Sequence, residues 1–231
     1  MTVFKKGLLF SVLVGLLTAC FEVKEKVELQ EDGSGQYTFE INLGKLKKVL
    51  QMSDHFQEAM QDSSHANMNT TKPENPLEQI LKQFSEISTQ MESISGVSDY
   101  QVVWDSVGYT VAVTFSFSSI EALNAGVNQL QEDNPSSSRR LFNYSGNVFE
   151  RITTQDVTES ADQIAQDSTQ AEMFKTSTFH TEYTFTRSVK EYTNDAYFIS
   201  RDRKTVIAEF VLYDIATGKQ EVGTVIEFGD D

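Results

Sequence analysis

The chain of 231 residues carries 19 lysines and arginines against 34 aspartates and glutamates, a formal charge of −15 at pH 7. A nucleic-acid binder needs a basic surface to displace counterions, so nucleic acid is excluded as a partner. The single cysteine cannot form an intrachain disulfide, and the 16 Phe and 8 Tyr suit a sheet-rich folded chain rather than a disordered one.

The first residues have the three parts of an export signal: basic Lys5 and Lys6, an apolar run from Gly7 to Leu17, and a small-residue cleavage region. The run rises ~1.5 Å per residue and reaches about half of a ~30 Å hydrocarbon core, which suits an export channel better than a permanent span. Leu17-Thr18-Ala19-Cys20 resembles the lipobox of bacterial lipoproteins. A thiol is needed there to accept a diacylglyceryl group, and a small residue before it lets the peptidase cut between Ala19 and Cys20. Residues 1–19 are therefore expected to be a cleaved signal peptide, and residues 20–231 one domain anchored through Cys20. Loss of the leader removes 19 of 231 residues, leaving 212, and with Lys5 and Lys6 gone 17 basic residues face 34 acidic ones, a balance of −17.

Acylation of Cys20 leaves no free thiol, which removes thiol catalysis, CxxC redox chemistry and cysteine-ligated metal from consideration. One acyl chain binds a membrane marginally and two or three hold firmly, at about 0.8 kcal/mol per buried CH₂. With no basic patch to seek anionic lipid, attachment rests on the acyl chains, palmitate among them.

After the anchor, Val23, Val27 and Leu29 alternate with polar residues, as do Tyr37, Phe39, Ile41 and Leu43. Glu31-Asp32-Gly33-Ser34-Gly35 lies between them, so the pattern predicts a β-hairpin whose turn uses positive φ at Gly33 and Gly35. Leu46, Val49, Leu50, Phe56 and Met60 predict an amphipathic helix over 45–61, and a polar stretch with Pro73 and Pro76 follows. Leu77, Ile80, Leu81, Phe84, Ile87, Met91 and Ile94 form one stripe of a second helix over 77–95, stopped by Gly96.

A second hairpin is expected over 99–106 and 109–117, where Tyr109, Val111, Val113, Phe115 and Phe117 alternate without a break. Ile120, Leu123, Val127 and Leu130 predict a third helix, closed by Pro135. A third hairpin over 140–144 and 147–154 turns at Ser145-Gly146, a weaker helix covers 159–174, and strands are expected at 177–187, 197–200, 205–213 and 222–228. Hairpins separated by single helices indicate an α+β fold: a mainly antiparallel sheet with three to four amphipathic helices on one face.

The sequence offers little chemistry. His55, His65 and His180 form no metal pattern; His180-Thr181-Glu182 has the HxE spacing of zinc deaminases without the Pro-Cys-x-x-Cys half. On a strand His180 and Glu182 share a face, where they are expected to pair. There is no GxSxG elbow, P-loop or EF-hand loop. Arg201-Asp202-Arg203-Lys204 reads as a charged turn between strands, and Arg139 and Arg140 as a strand start. No catalytic, metal or cofactor-binding residues are assigned.

Two stretches resemble a group of uncharacterised exported lipoproteins of the Bacteroidota. One runs from Cys20-Phe21-Glu22-Val23 into Glu31-Asp32-Gly33-Ser34-Gly35-Gln36-Tyr37-Thr38-Phe39. The other is Ser188 to Asn194 followed by Ser200-Arg201-Asp202-Arg203-Lys204-Thr205-Val206, where that group usually has a glycine in the turn and this chain has none. The resemblance implies an anchored, hairpin-rich domain and supplies no reaction. Three functions are open at this point: a non-catalytic binding or structural module of the envelope, a carrier of lipids or other apolar ligands, and an enzyme using carboxylates alone. Phe21 stands where many Gram-negative inner-membrane lipoproteins have aspartate, which favours the outer membrane and leaves periplasmic and surface faces open.

Overall fold

A computed structural model describes residues 21–45, 76–131, 139–153 and 168–229. Its larger sheet has seven strands. The first hairpin supplies β1 (Glu22–Leu29) and β2 (Gly35–Asn42), and the second supplies β3 (Val97–Asp105) and β4 (Thr110–Phe117). The others are β7 (Thr178–Phe185), β9 (Tyr197–Ile199) and β10 (Thr205–Val211), in the order β3-β4-β2-β1-β7-β10-β9. A smaller sheet orders β5 (Phe142–Tyr144), β6 (Val148–Arg151), β11 (Thr224–Phe228) and β8 (Val189–Tyr192) as β5-β6-β11-β8.

Strand periodicity decides how the sheets face each other. In the large sheet Val27, Leu29, Tyr37, Phe115, Phe117, Tyr183, Phe185, Val206, Ala208 and Phe210 all point to one side and are buried. Phe142, Phe149, Val189, Ile226 and Phe228 of the small sheet join the same cluster. Phe149 sits at its centre, with ring centroids 5.4 Å from Tyr183, 5.3 Å from Phe185 and 5.9 Å from Phe142.

The other side of the large sheet is mainly polar, with Val103, Phe198 and Ile207 exposed on it. There Lys24 meets Glu182 at 3.0 Å, while Thr38 faces Thr114, and Thr184 faces Thr205. Such one-sided burial is typical of antiparallel sheets.

The helices finish the inner face. Helix α1 (Pro76–Glu86) and α2 (Ser88–Ser93) lie against β3, with Phe84 and Met91 buried. Pro76 opens α1, a position where its missing N–H costs nothing. Helix α3 (Ile120–Gln131) buries Ala122, Leu123 and Val127. Asn124 then fastens α3 to the edge of the small sheet: its Oδ1 accepts from the N–H groups of Leu141 (2.7 Å) and Phe142 (2.8 Å), and its Nδ2 donates to the Phe142 carbonyl. Helix α4 (Ser168–Thr176) and α5 (Leu212–Ala216) pack on each other beside the start of β7.

The α+β, sheet-dominated expectation holds, with three corrections. The strands form two sheets rather than one, so helices share the inner face with a second sheet. One central pair is parallel: β1 runs alongside β7 from Glu22↔Thr178 to Leu29↔Phe185. Two short elements were not expected: β8 lies in a stretch given no element, and α5 begins at the last two residues of the strand expected over 205–213. In the first turn Gly33 has φ +84°, as expected, but Gly35 does not need positive φ; a Cβ there would overlap the Glu28 carbonyl oxygen and the Phe117 ring. Most of the helix expected over 45–61, the polar stretch after it and the start of the helix expected over 159–174 lie outside the described residues.

Truncating the central ring should cost far more than trimming an exposed one. Phe149→Ala is expected to lower unfolding stability by about 3–5 kcal/mol. Phe198→Ser, on a side chain 69% exposed, should change it by less than about 0.5 kcal/mol. Urea denaturation of both variants checks the contrast.

Candidate functional site

Cys20 precedes the described residues, but the chain that leaves it is fixed at once. The Phe21 N–H donates to Ser177 Oγ at 3.0 Å, and its carbonyl accepts from the Thr178 N–H at 3.2 Å. Ser177 is itself held, because its hydroxyl donates to the Met173 carbonyl in the last turn of α4. The Phe21 ring meets Phe174 edge-on at 6.3 Å. The residue after the expected acylation point is therefore bonded by both backbone groups, and β1 begins at Glu22.

The most unusual chemistry of the described residues lies further along β1 and has no signature in sequence. Glu25, in mid-strand, is only 1% exposed. An isolated buried carboxylate is costly, so it must be neutralised. Arg151, at the end of β6, reaches across from the other sheet: Nε donates to Glu25 Oε1 at 3.0 Å and Nη2 to Oε2 at 3.3 Å. The remaining Nη1 donates to the Ile152 carbonyl, and the guanidinium lies 4.9 Å from the Phe142 ring centroid. The Tyr183 hydroxyl donates to Glu25 Oε1 at 2.7 Å, and its ring stacks on Tyr197, whose hydroxyl donates to the Val222 carbonyl.

Burial acts on the guanidinium and on the three phenols around it. It disfavours a charged Arg151, yet the Glu25 carboxylate beside it wins and holds the guanidinium pKa above its ordinary value. Burial, reinforced by the negative charge of Glu25, pushes the phenols of Tyr37 and Tyr183 well above their usual value and that of Tyr197 up to about 12. The charges of this cluster are paired, while the buried Thr181 hydroxyl on the neighbouring strand has no hydrogen-bond partner among the described residues. Glu25 is occupied by an arginine and a phenol, and no second carboxylate among the described residues is buried with it.

The histidine reading needs correction. His180 and Glu182 do share the outer face of β7, but they do not pair. His180 Nε2 lies 3.2 Å from Glu22 and 3.1 Å from Thr178 Oγ1, Nδ1 lies 3.6 Å from Glu209, and Glu182 goes to Lys24. His55 and His65 lie outside the described residues, and among those described no three metal-binding side chains converge. The Arg201–Lys204 turn is structural: Arg203 takes φ +59°, where glycine is easier, and its guanidinium donates to the Val189 and Lys190 carbonyls.

A cleft of about 470 Å³ opens beside β9, lined by Thr193, Asn194, Asp195, Lys219, Glu221 and Gly223 among others. It is polar, with Asp195 and Glu221 exposed at its rim. The space between the two sheets is filled by rings in mutual contact, so an apolar cargo would have to displace them.

Removing one partner of the buried pair strands the other. Glu25→Ala or Arg151→Ala is expected to destabilise by about 3–5 kcal/mol, whereas the joint change Glu25→Leu with Arg151→Met should restore most or all of that loss. Urea denaturation of the singles and the double separates the two. On the alkaline side, tyrosines of the unfolded chain ionise near pH 10. The folded phenols of Tyr37, Tyr183 and Tyr197 keep their protons past that point, so the unfolded state binds fewer protons. Stability should then fall as pH rises from about 10, by up to ~1.4 kcal/mol per unit for each phenol. Phenolate absorbance should show these three titrating only as the protein unfolds.

No family model matches the sequence, and a search of curated proteins finds no relative. A search of solved structures finds the folded domain of Mycobacterium tuberculosis LppM, determined by NMR, with a TM-score of 0.37 and 11% identity over 91% of each chain. A likeness at that level assigns neither a family nor a role.

Proposed function

We propose that residues 20–231 form a lipid-anchored, non-catalytic protein of the cell envelope, processed between Ala19 and Cys20 and held at the outer membrane by acyl chains on Cys20. One observation carries the reading: the Leu17-Thr18-Ala19-Cys20 box is followed, one residue later, by the first strand of a folded domain. An export signal with no tether after it makes sense when the domain works at the membrane itself. A structural or binding role fits a molecule whose buried charges are mutually satisfied. Among the described residues no helix is long and apolar enough to cross a membrane.

The carrier reading draws no support from the described interior, since rings fill it. The enzyme reading would need two acids converging with at least one desolvated, and among the described residues Glu25 is the one buried acid, held by its arginine.

Mass spectrometry of the N-terminal peptide and labelling with palmitate test the anchor. The expected result is cleavage before Cys20, a diacylglyceryl group on its sulfur, and recovery in the detergent phase. Cys20→Ser, exported behind an ordinary cleavable leader, should be unlabelled and found in the aqueous phase with unchanged circular dichroism. A wild-type chain that is unlabelled and aqueous would refute the proposal. Protease shaving of intact cells then separates a surface from a periplasmic position.

A further inference from the structure

Four strands lie at the margins of the two sheets, and three of them are engaged. β3 has α1 and α2 against it. The segment entering β5 gives the N–H groups of Leu141 and Phe142 to Asn124. On β8 the Val189 N–H donates to the Arg203 carbonyl, and the Val189 and Lys190 carbonyls accept from the Arg203 guanidinium. The fourth, β9, differs. The Ser200 N–H donates to the Thr205 carbonyl, so Ser200 and Phe198 turn their backbone groups toward β10, and Ile199 between them turns its N–H and carbonyl away from the sheet. The Tyr197 N–H is taken by the Asn194 carbonyl, which leaves the Tyr197 carbonyl on that edge.

These groups are self-complementary. A two-fold axis through Phe198 brings Ile199 opposite the partner's Tyr197, so each Ile199 N–H meets a Tyr197 carbonyl and the occupied Tyr197 N–H is not needed. Phe198 then faces the partner's Phe198 with Cα atoms about 4.5 Å apart, the closer spacing of an antiparallel ladder. Phe198 is 69% exposed and its neighbour Ile207 41%. Both lie on the outer face, and the junction would unite them with their copies in one apolar row. Glu182, next in that row, is already paired with Lys24. An axis through Ile199 would also satisfy the backbone, but it sets Phe198 opposite Ser200 and brings less apolar surface together.

Charge favours the same antiparallel contact. Beyond one end of β9 the exposed turn holds Arg201, Arg203 and Lys204 with one acid, Asp202. Arg203 is spent on the β8 carbonyls, and Asp202 accepts from the Ser200 hydroxyl and the Lys204 N–H. Beyond the other end Asp195 and Glu221 are exposed, Lys219 pairs with Asp214, and Lys190 pairs with Glu191. A two-fold contact lays the basic turn of each copy beside the acidic end of the other, with Arg201 level with the partner's Asp195. A parallel contact would set basic turn on basic turn. The net charge of −15 opposes association elsewhere on the surface.

We propose that β9 pairs with β9 of a second copy in antiparallel register, joining two seven-stranded sheets through Phe198 into a two-fold dimer. One short edge buries less than the ~1,600 Å² of a standard interface, so the dimer is weak and forms at high concentration.

The Cys20→Ser chain, exported behind an ordinary cleavable leader, has no thiol, so the test is independent of acylation. Adding Phe198→Cys places two thiols on the axis at a separation a disulfide spans. With copper–phenanthroline as oxidant, the disulfide dimer should form about tenfold faster than with Val103→Cys, because association raises the local thiol concentration. Val103 is 54% exposed and sits on β3 at the opposite margin. Sedimentation equilibrium of the Cys20→Ser chain should show the mass rising from one copy to two with concentration. Phe198→Asp should abolish the rise, Arg201→Asp or Asp195→Arg should weaken it, and the two charge changes together should recover it. A chain that stays monomeric at every concentration, with equal cross-linking at 198 and 103, overturns the proposal and leaves the edge to a strand of another protein. A dimer unaffected by Phe198→Asp places the contact elsewhere and overturns it too. Failure of the charge swap to recover association refutes the antiparallel register.

Discussion

A carboxylate in the middle of the first strand has to be neutralised before two sheets can close over it. Glu25 belongs to the large sheet and Arg151 to the small one, so their bidentate contact is made only when the sheets lie in one relative position. Apolar rings would tolerate neighbouring arrangements, because dispersion and burial are weakly directional. A guanidinium fork is not so tolerant. The surrounding phenols follow from that choice: Tyr183 completes the carboxylate's hydrogen bonds, Tyr197 stacks on Tyr183, and the Tyr197 hydroxyl fastens the segment leading into β11. The pair is therefore expected to fix the docking of the sheets more than to add net stability, since apolar replacement of both partners of a buried ion pair is often neutral.

The same pair shows what a sequence conceals. Glu25 lies in Glu22-Val23-Lys24-Glu25-Lys26, where alternating charge reads as a solvated strand. Only the strand's parity, with Glu25 in line with Val27 and Leu29, hints that it points inward, and Arg151 is 126 residues away. Local features were legible: the uninterrupted alternation from Tyr109 to Phe117, the Gly33 and Gly146 turns, and the stripes of α1 and α3 all encode structure within one window. Pairing partners were not, because nothing in β1 names β7 as its neighbour. The small sheet was hidden for a further reason. β5, β6 and β11 were expected as a hairpin and a last strand, but their joining into a separate sheet is a long-range pairing of β6 with β11, and β8, the fourth strand, has four residues, too few for a period to show.

The site reading divides along the same line. The proposed anchor is a local code, Leu17-Thr18-Ala19-Cys20, so Cys20 is legible in the chain itself. The seat of the next residue is not: Phe21 is held by Ser177 and Phe174, which lie more than 150 residues further along. His180 illustrates the opposite case: an apparent motif with Glu182 resolves into a surface histidine shared between Glu22 and Glu209 on neighbouring strands.

The parallel pairing of β1 with β7 also governs when the protein can fold. Residues 21 and 177 are joined by a hydrogen bond across 156 positions of sequence, and long-range strand pairing is slow because loop closure precedes any gain from contact. A chain that emerges from an export channel N-terminus first delivers β1 and β2 early and β7 late. Until β7 arrives, the hairpin keeps an unpaired edge on β1, the kind of edge that recruits other strands. On the proposed export route the central strand would thus stay half-complete until β7 follows, and protection of that edge would be a demand on the route as much as on the protein.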